Sequence, residues 1–288
     1  MMLYPWQSAD WAPLQAMRAT LPHAILLNGQ AGTGKRDFAM HFAQGLLCDT
    51  PAADGQPCGT CAACNWFVQG NHPDFHLVRP EAMEEAPETE KDAEGKKKAP
   101  SKIIRMEQVR NLIEAVGVGT HRAGLRVVVL YPLDALQTEG ANALLKTLEE
   151  PPDFVVLTLL APDTDSLLPT IVSRCQVVPL RPLPVPQIAA ALQTRWGVEA
   201  ETARLLAHLS GGRLGWAVRA ATEPDLLRRR QQRIDEMVAL LRAPLTERFR
   251  YAAELARDPA ATQEALDIWA GWWRDILLLT GGVEENRT

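Results

Sequence analysis

The sequence has no apolar run near the roughly 18 residues that a membrane-spanning helix needs. Its opening residues offer no basic segment ahead of an apolar stretch, so no export signal is expected. Basic charge is not in excess either. The 30 Lys and Arg stand against 35 Asp and Glu, a net charge of −5, and the electropositive footprint of a free-standing nucleic-acid binder is missing. Lysine disappears after residue 180, where every basic residue is Arg, a composition suited to interfaces. Five Cys cannot scaffold 288 residues, of which 47% are apolar and enough to build about two ordinary cores. A cytoplasmic, globular chain of two domains, or three small ones, is expected.

Apolar runs without alternation lie at Ala24–Leu27, Arg126–Leu130 and Phe154–Leu160, with shorter candidates at Phe75–Val78 and Gln176–Leu180. Helical stretches separate them: residues 35–47, and a segment where Met106, Val109, Leu112, Ile113 and Val116 recur with helical period. Such runs between helices imply a parallel sheet covered on both faces. From Pro184 onward the strand signal vanishes, and helical periodicity runs through 188–196, 200–209, 214–221, 226–241, 247–256 and 264–279. The Pro-rich segment 181–186 reads as a hinge, and a second break falls near 222–225. The expected organisation is an α/β domain over 1–180, a small helical domain over 181–222 and a second helical domain over 223–288. Residues 81–98 hold seven acidic and four basic groups and no aromatic, so 81–102 reads as a mobile surface loop.

The segment Gly29-Gln30-Ala31-Gly32-Thr33-Gly34-Lys35 follows a strand and opens a helix, the context of a phosphate-binding Walker A loop. Glycines let backbone N–H groups line an anion nest at the helix N-terminus, and Lys35 would reach the outer phosphates. The next residue should carry a hydroxyl for Mg²⁺; it is Arg36. The strand ending at Leu130 should lead into an acidic pair that holds the metal and orients water. It leads into Tyr131-Pro132, with Asp134 further on in a turn. The fold of a nucleotide site is expected without its hydrolytic parts. The loop can hold an anion or stand empty.

Cys48, Cys58, Cys61 and Cys64 have the spacing C-x9-C-x2-C-x2-C. Two residues between cysteines let both thiolates face one cation, and four thiolates close a tetrahedral, structural Zn²⁺ site. An iron–sulfur cluster is the lesser reading, since no redox motif accompanies the cysteines. His72 and His76 are surplus to such a site, and Trp66 and Phe67 are expected to pack beneath it.

The helical segment Asn142-Ala-Leu-Leu-Lys-Thr-Leu-Glu-Glu-Pro-Pro152, the triplet Ser173-Arg174-Cys175, the degenerate phosphate loop and the cysteines inserted after the first helix together resemble the clamp-loader branch of the AAA+ ATPases. The specific motifs cover 1–180. The resemblance implies an AAA+ P-loop domain with a zinc insert over 48–64, a helical lid and a helical collar. It implies a hetero-pentamer, with gamma/tau-type motor subunits and a delta subunit, that places a sliding clamp on primer-template DNA within a DNA polymerase III holoenzyme. Arg174 is then an arginine finger acting in trans on a neighbour's ATP, with Ser173 and Cys175 positioning it; the alternative for Arg174 is a surface salt bridge. Gly29, Gly32, Gly34, Lys35 and Arg36 form a phosphate loop at which ATP is not bound productively. The polar sensing residue of the motors falls on Ala161 and their sensing arginine on Gly215.

Two other readings make different demands. An active motor of the gamma/tau kind needs a hydroxyl at 36 and acids at 131–132. A zinc-ribbon nucleic-acid binder needs basic residues among the cysteines, whereas 48–78 contains neither Lys nor Arg. Trp269, Trp272 and Trp273 sit at i, i+3 and i+4, one helix face, serving either a domain core or a subunit interface. Arg228, Arg229, Arg230 and Arg233 read as a solvated helix face.

Overall fold

The computed structural model describes residues 8–83, 101–122 and 124–281. The chain divides into two compact units, Met1–Arg181 and Pro182–Thr288. In the first, strands β1 (Ala24–Asn28), β2 (Phe75–Val78), β3 (Arg126–Leu130), β4 (Val155–Ala161) and β5 (Gln176–Pro179) form one parallel sheet in the order β2-β3-β4-β1-β5. The strands fall where the apolar runs place them. Successive β1 side chains enter opposite cores. Ala24 and Leu26 join one with Val128, Leu130, Leu157 and Leu159, while Ile25 and Leu27 join the other with Val127 and Val129. Burial on both faces is why these strands do not alternate with polar residues.

Helices α4 (Met106–Gly117), α5 (Thr138–Glu149) and the single turn α6 (Pro169–Val172) cover the first core through Val109, Leu112, Leu144, Leu148 and Ile171. Helices α1 (Ser8–Met17), α2 (Lys35–Leu47) and α3 (Ala62–Val68) cover the second through Trp11, Leu14, Phe38, Phe42 and Phe67. Of these, α1 and α3 are not apparent from periodicity. Parallel strands bring the ends of β1, β3 and β4 to one edge, and the glycine loop and Tyr131 therefore lie on the same side of the sheet.

The mobile loop expected over 81–102 falls mostly on 84–100, outside the described residues. Its two ends are held together. Residues Glu81–Met83 form a 3-10 turn, Ala82 donates to the Ser101 carbonyl at 2.9 Å, and Arg105 pairs with Glu81 at 3.0 Å.

The second unit is helical: α7 (Val185–Trp196), α8 (Ala200–Leu209), α9 (Leu214–Thr222), α10 (Pro224–Arg242), α11 (Leu245–Leu255) and α12 (Pro259–Thr280). Ile188, Leu192, Leu206, Ala207 and Ala217 pack α7, α8 and α9 together. Glu223 alone separates α9 from α10, so the division expected at 222/223 lies inside this unit.

Two expectations need correction here. The Arg228–Arg233 face is not uniformly solvated. Arg230 lies over the Trp216 ring at 6.0 Å, and Arg233 pairs with Glu236 at 2.9 Å while its carbonyl accepts from Trp269 Nε1. The tryptophans do not share one role. Trp269 stacks on Tyr251, whose hydroxyl donates to Glu236 at 2.7 Å, whereas Trp273 is 42% exposed. Helical spacing sets the angle between side chains, but the helices opposite decide which are covered. No helix among the described residues is long and apolar enough to cross a membrane.

Candidate functional site

Gly29 leaves β1 with φ +154°, and a Cβ there would lie 2.4 Å from the Leu180 carbonyl oxygen, so only glycine fits. Gly34 caps α2 in the left-handed region, φ +88°. The loop so formed turns on itself. Lys35 Nζ donates to the carbonyls of Gly29 and Gln30, and Thr33 Oγ1 donates to the Gln30 carbonyl at 2.9 Å. Burial holds the Lys35 pKa below its ordinary value, against the opposing charge of Asp134. The lysine expected to meet phosphate is thus satisfied by its own backbone.

Arg36 and Tyr131 meet where a metal site would need its hydroxyl and its first acid. The Arg36 guanidinium lies 5.5 Å from the Tyr131 ring centroid, a cation–π contact. The residue in place of the hydroxyl and the residue in place of the first acid are thus packed on each other. Neither offers an anionic oxygen to Mg²⁺, and Asp134 sits in a 3-10 turn, Leu133–Ala135.

The four cysteines converge. Their sulfurs all lie within 4.8 Å of one another, with Cys48–Cys61 at 3.8 Å and Cys58–Cys64 at 4.0 Å. A tetrahedral cation with S ligands at about 2.3 Å requires sulfurs about 3.8 Å apart. Backbone N–H groups already point at them, from Cys58 to Cys48 Sγ at 3.3 Å, from Cys61 to Cys58 Sγ at 3.3 Å, and from Cys64 to Cys61 Sγ at 3.4 Å. These donors favour thiolates. Hydrogen bonds from Thr50 first, then Thr60 and Cys61, draw the Cys58 pKa down to about 5, while burial pushes Cys64 up to about 12. The set fits one soft divalent metal ion. His72 and His76 stay outside it: His72 Nδ1 accepts from the Asp74 backbone at 3.2 Å. Phe67 packs under the insert against Phe75, but Trp66 is 37% exposed, covered on one side by Arg122 at 4.9 Å.

Arg174 stands apart from both sites in sequence, just after α6. Its Nη2 lies 2.6 Å from Glu149 Oε1, and its Nη1 donates to the Thr170 carbonyl at 2.9 Å and faces Ser173 Oγ at 3.4 Å. Ser173 Oγ donates to the same carbonyl at 3.1 Å. Cys175 packs against the first core, where burial pushes its thiol pKa up to about 11. The triplet therefore has an apolar anchor, a polar brace and a one-third exposed guanidinium.

The family model described as DNA polymerase III, delta subunit, matches residues 12–184. The chain belongs to that family. The relatives of this delta-family chain include DNA polymerase III subunit delta' of Pseudomonas aeruginosa, 41% identical over 73% of this chain and 58% of that protein. Subunit delta' of Bacillus subtilis is 33% identical over 66% of this chain and 51% of its own length. The subunit tau of Escherichia coli is 34% identical over 59% of this chain but only 23% of its own length. The chain spans between about half and three-fifths of the delta' relatives it matches. The AAA+ fold class expected from the motifs stands, with a parallel-sheet P-loop domain, a cysteine insert and a helical remainder.

In this delta-family chain the two positions assigned to nucleotide sensing are apolar. Ala161 ends β4 fully buried, its carbonyl accepting from Gly29 N–H at 3.2 Å, and Gly215 lies in the first turn of α9. Two acidic residues escaped the sequence reading. Asp74 is fully buried, accepts from the backbone of His121 and Arg122 at 2.7 and 2.8 Å, and faces Arg126 Nη2 at 3.6 Å. Glu149 holds Arg174. No local signal marks Asp74, because the His121, Arg122 and Arg126 groups that face its carboxylate lie 47 or more residues away. Glu149 belongs to a helix end read only for its leucines.

Proposed function

We propose that the chain is a non-hydrolysing subunit of a bacterial DNA polymerase III clamp loader. It joins gamma/tau-type motors and a delta subunit in a hetero-pentamer that places the sliding clamp on primer-template DNA. The observation that carries the non-hydrolysing part is the Arg36–Tyr131 contact, which fills both metal-binding positions with groups unable to bind Mg²⁺. The Lys35 side chain, turned onto Gly29 and Gln30, supports the same reading, in which ATP is not bound productively here.

Arg174 is the chain's contribution to catalysis, an arginine finger reaching in trans to a motor's ATP, with Ser173 and Cys175 as positioning residues. Its own phosphate loop lacks the parts to use it. The Cys48, Cys58, Cys61 and Cys64 cluster holds a structural Zn²⁺. Residues 181–222 are the lid and 223–288 the collar.

Rebuilding the pentamer with Arg174→Ala tests this reading. The variant chain should fold, carry metal and assemble, while turnover stimulated by clamp and DNA drops at the one neighbouring site. Arg174→Lys should recover little, because an ammonium cannot present a planar fork of donors. Full stimulated turnover and full clamp loading by a pentamer shown to contain the alanine variant would reduce Arg174 to a structural residue.

A further inference from the structure

We propose that Glu149 is a positioning residue for Arg174, holding its guanidinium against this chain until a neighbour's phosphate takes it. The inference rests on the reading of Arg174 as a finger in trans. The Nη2 end of the guanidinium is on Glu149 Oε1 at 2.6 Å and the Nη1 end on the Thr170 carbonyl at 2.9 Å. Both arms of the fork therefore face inward. A finger offers that fork to phosphoryl oxygens, and an N–H already given to Glu149 or Thr170 cannot point at phosphate in the same geometry. To present both arms as a bidentate fork, Arg174 must leave Glu149.

The placement of Glu149 favours such an exchange. It is the last residue of α5, with Glu150 as the cap. The carbonyl end of a helix is its negative end, where acids are disfavoured and a cation is welcome. A guanidinium docked there relieves the crowding of negative charge, and its departure restores it. The pair is also shallow, with side-chain exposures of 34% for Arg174 and 49% for Glu149. An ion pair that open biases a population by a few-fold only. A triphosphate oxygen, more highly charged and less hydrated once enclosed between subunits, outcompetes a single carboxylate. The restraint thus tilts the finger toward the withdrawn position in a loosely packed complex and yields in a closed one. Thr170 and Ser173 define the withdrawn position, and Glu149 supplies the charge that makes it preferred.

The test compares pentamers rebuilt with Glu149→Gln, Glu149→Asp, Arg174→Ala and the double variant E149Q/R174A. ATP turnover is measured at saturating ATP without clamp or DNA, and again with both. Glu149→Gln should raise the unstimulated rate about two- to fivefold, the population change an exposed pair supports. The stimulated rate should move less, since closure already frees the finger. Glu149→Asp, one methylene shorter, should give back part of the restraint. In E149Q/R174A the rise should vanish, because it acts only through Arg174. If Arg174→Ala lowers stimulated turnover while Glu149→Gln leaves the unstimulated rate unchanged or lower, Glu149 has no withholding role and the finger reading survives. If Arg174→Ala changes nothing, both readings fall together. A rise in E149Q that persists in the double variant would also overturn the proposal.

Discussion

Under the non-hydrolysing reading, the Arg36–Tyr131 contact occupies the place where a motor would hold its metal. A hydroxyl and a carboxylate there would face each other without a cation. A guanidinium laid over a ring contributes about 0.5–1 kcal/mol and keeps the end of β3 filled. The isolated chain should therefore show no Mg²⁺-dependent ATP turnover, and Arg36→Thr alone should not create any, because Tyr131-Pro132 still offers no acid. Turnover by the pure protein that Lys35→Ala abolishes would contradict this. The cysteines make a separate residue-scale prediction. Cys61 Sγ is at once a corner of the cluster and the acceptor that caps α3, taking the Cys64 N–H at 3.4 Å. Protein prepared without chelator should carry about one Zn²⁺ per chain by elemental analysis. Cys61→Ala should lose it and also the cap, worth about 1 kcal/mol. Amide exchange should then speed up across residues 48–70 and stay slow in β1, β3 and β4. Fast exchange spreading into the sheet would show that the insert supports the core.

At the scale of elements, β2 and β3 are tied to the α4–β3 connection by one buried pair. Arg126 opens β3 and is 2% exposed, donating to the Val118 and Gly119 carbonyls at 2.7 and 2.9 Å and facing Asp74. Removing the charge of Asp74 leaves that guanidinium buried and uncompensated, so Asp74→Asn should cost about 3–5 kcal/mol by denaturant titration. A loss under about 1 kcal/mol would mean that the backbone carbonyls suffice. His76 on β2 lies beside this pair. Burial first, then the charge of Arg126, holds its pKa below the ordinary 6.5. Below about pH 6.5 the unfolded chain therefore binds this proton more readily than the fold does. The contribution of His76 to stability is whole above about pH 6.5 and is lost as pH falls from there toward the lower folded value. His76→Gln should lose less stability than the natural chain between about pH 7.5 and 5.5; equal losses would exclude a role for His76.

The elements differ in how readable they are. The five described strands and the six described C-terminal helices announce themselves because the sequence carries apolar runs or a helical apolar period at each. Helix α1 does not, since Pro13 inside it breaks the helical sequence signal and the partners of Trp11 Nε1 and of Arg18 just after it, the Asp54 and Gly55 carbonyls, lie in the cysteine insert. Helix α3 has only seven residues and starts on a cysteine sulfur, not on one of the usual capping side chains. The glycine loop, the cysteines and the Arg174 triplet are legible because their chemistry is written in adjacent residues. What Arg36 and Arg174 touch is not, because Tyr131 and Glu149 reach them through the fold.

At the scale of the whole molecule, the last described helices expose large apolar side chains in rows. On α12, Leu266, Ala270, Trp273 and Leu277 recur at spacings of four, three and four and are all exposed. Helix α11 has no buried residue at all, and its Leu245 and Phe249 are 66% and 67% exposed, one turn apart on the same side. The inner side of α12 is already committed, through Ala265 and the Trp269–Tyr251 stack, so these outward residues are not what holds the unit together. Under the collar reading they are covered by neighbouring subunits. Burying a Leu or Phe side chain contributes about 1.5–3 kcal/mol, so replacing one with a charge should weaken assembly by about tenfold to a hundredfold. Phe249→Asp and Leu277→Asp should therefore leave the thermal midpoint of the isolated chain within a few degrees of the natural one. Each should nevertheless fail to co-migrate with motor and delta subunits in size exclusion at concentrations where the natural chain does. Trp269→Ala makes the contrast: it removes the Tyr251 stack and the bond to the Arg233 carbonyl, and should lower the midpoint before it affects assembly. Normal assembly by both aspartate variants would mean that these stripes face solvent in the complex and that the collar contact lies elsewhere on the chain.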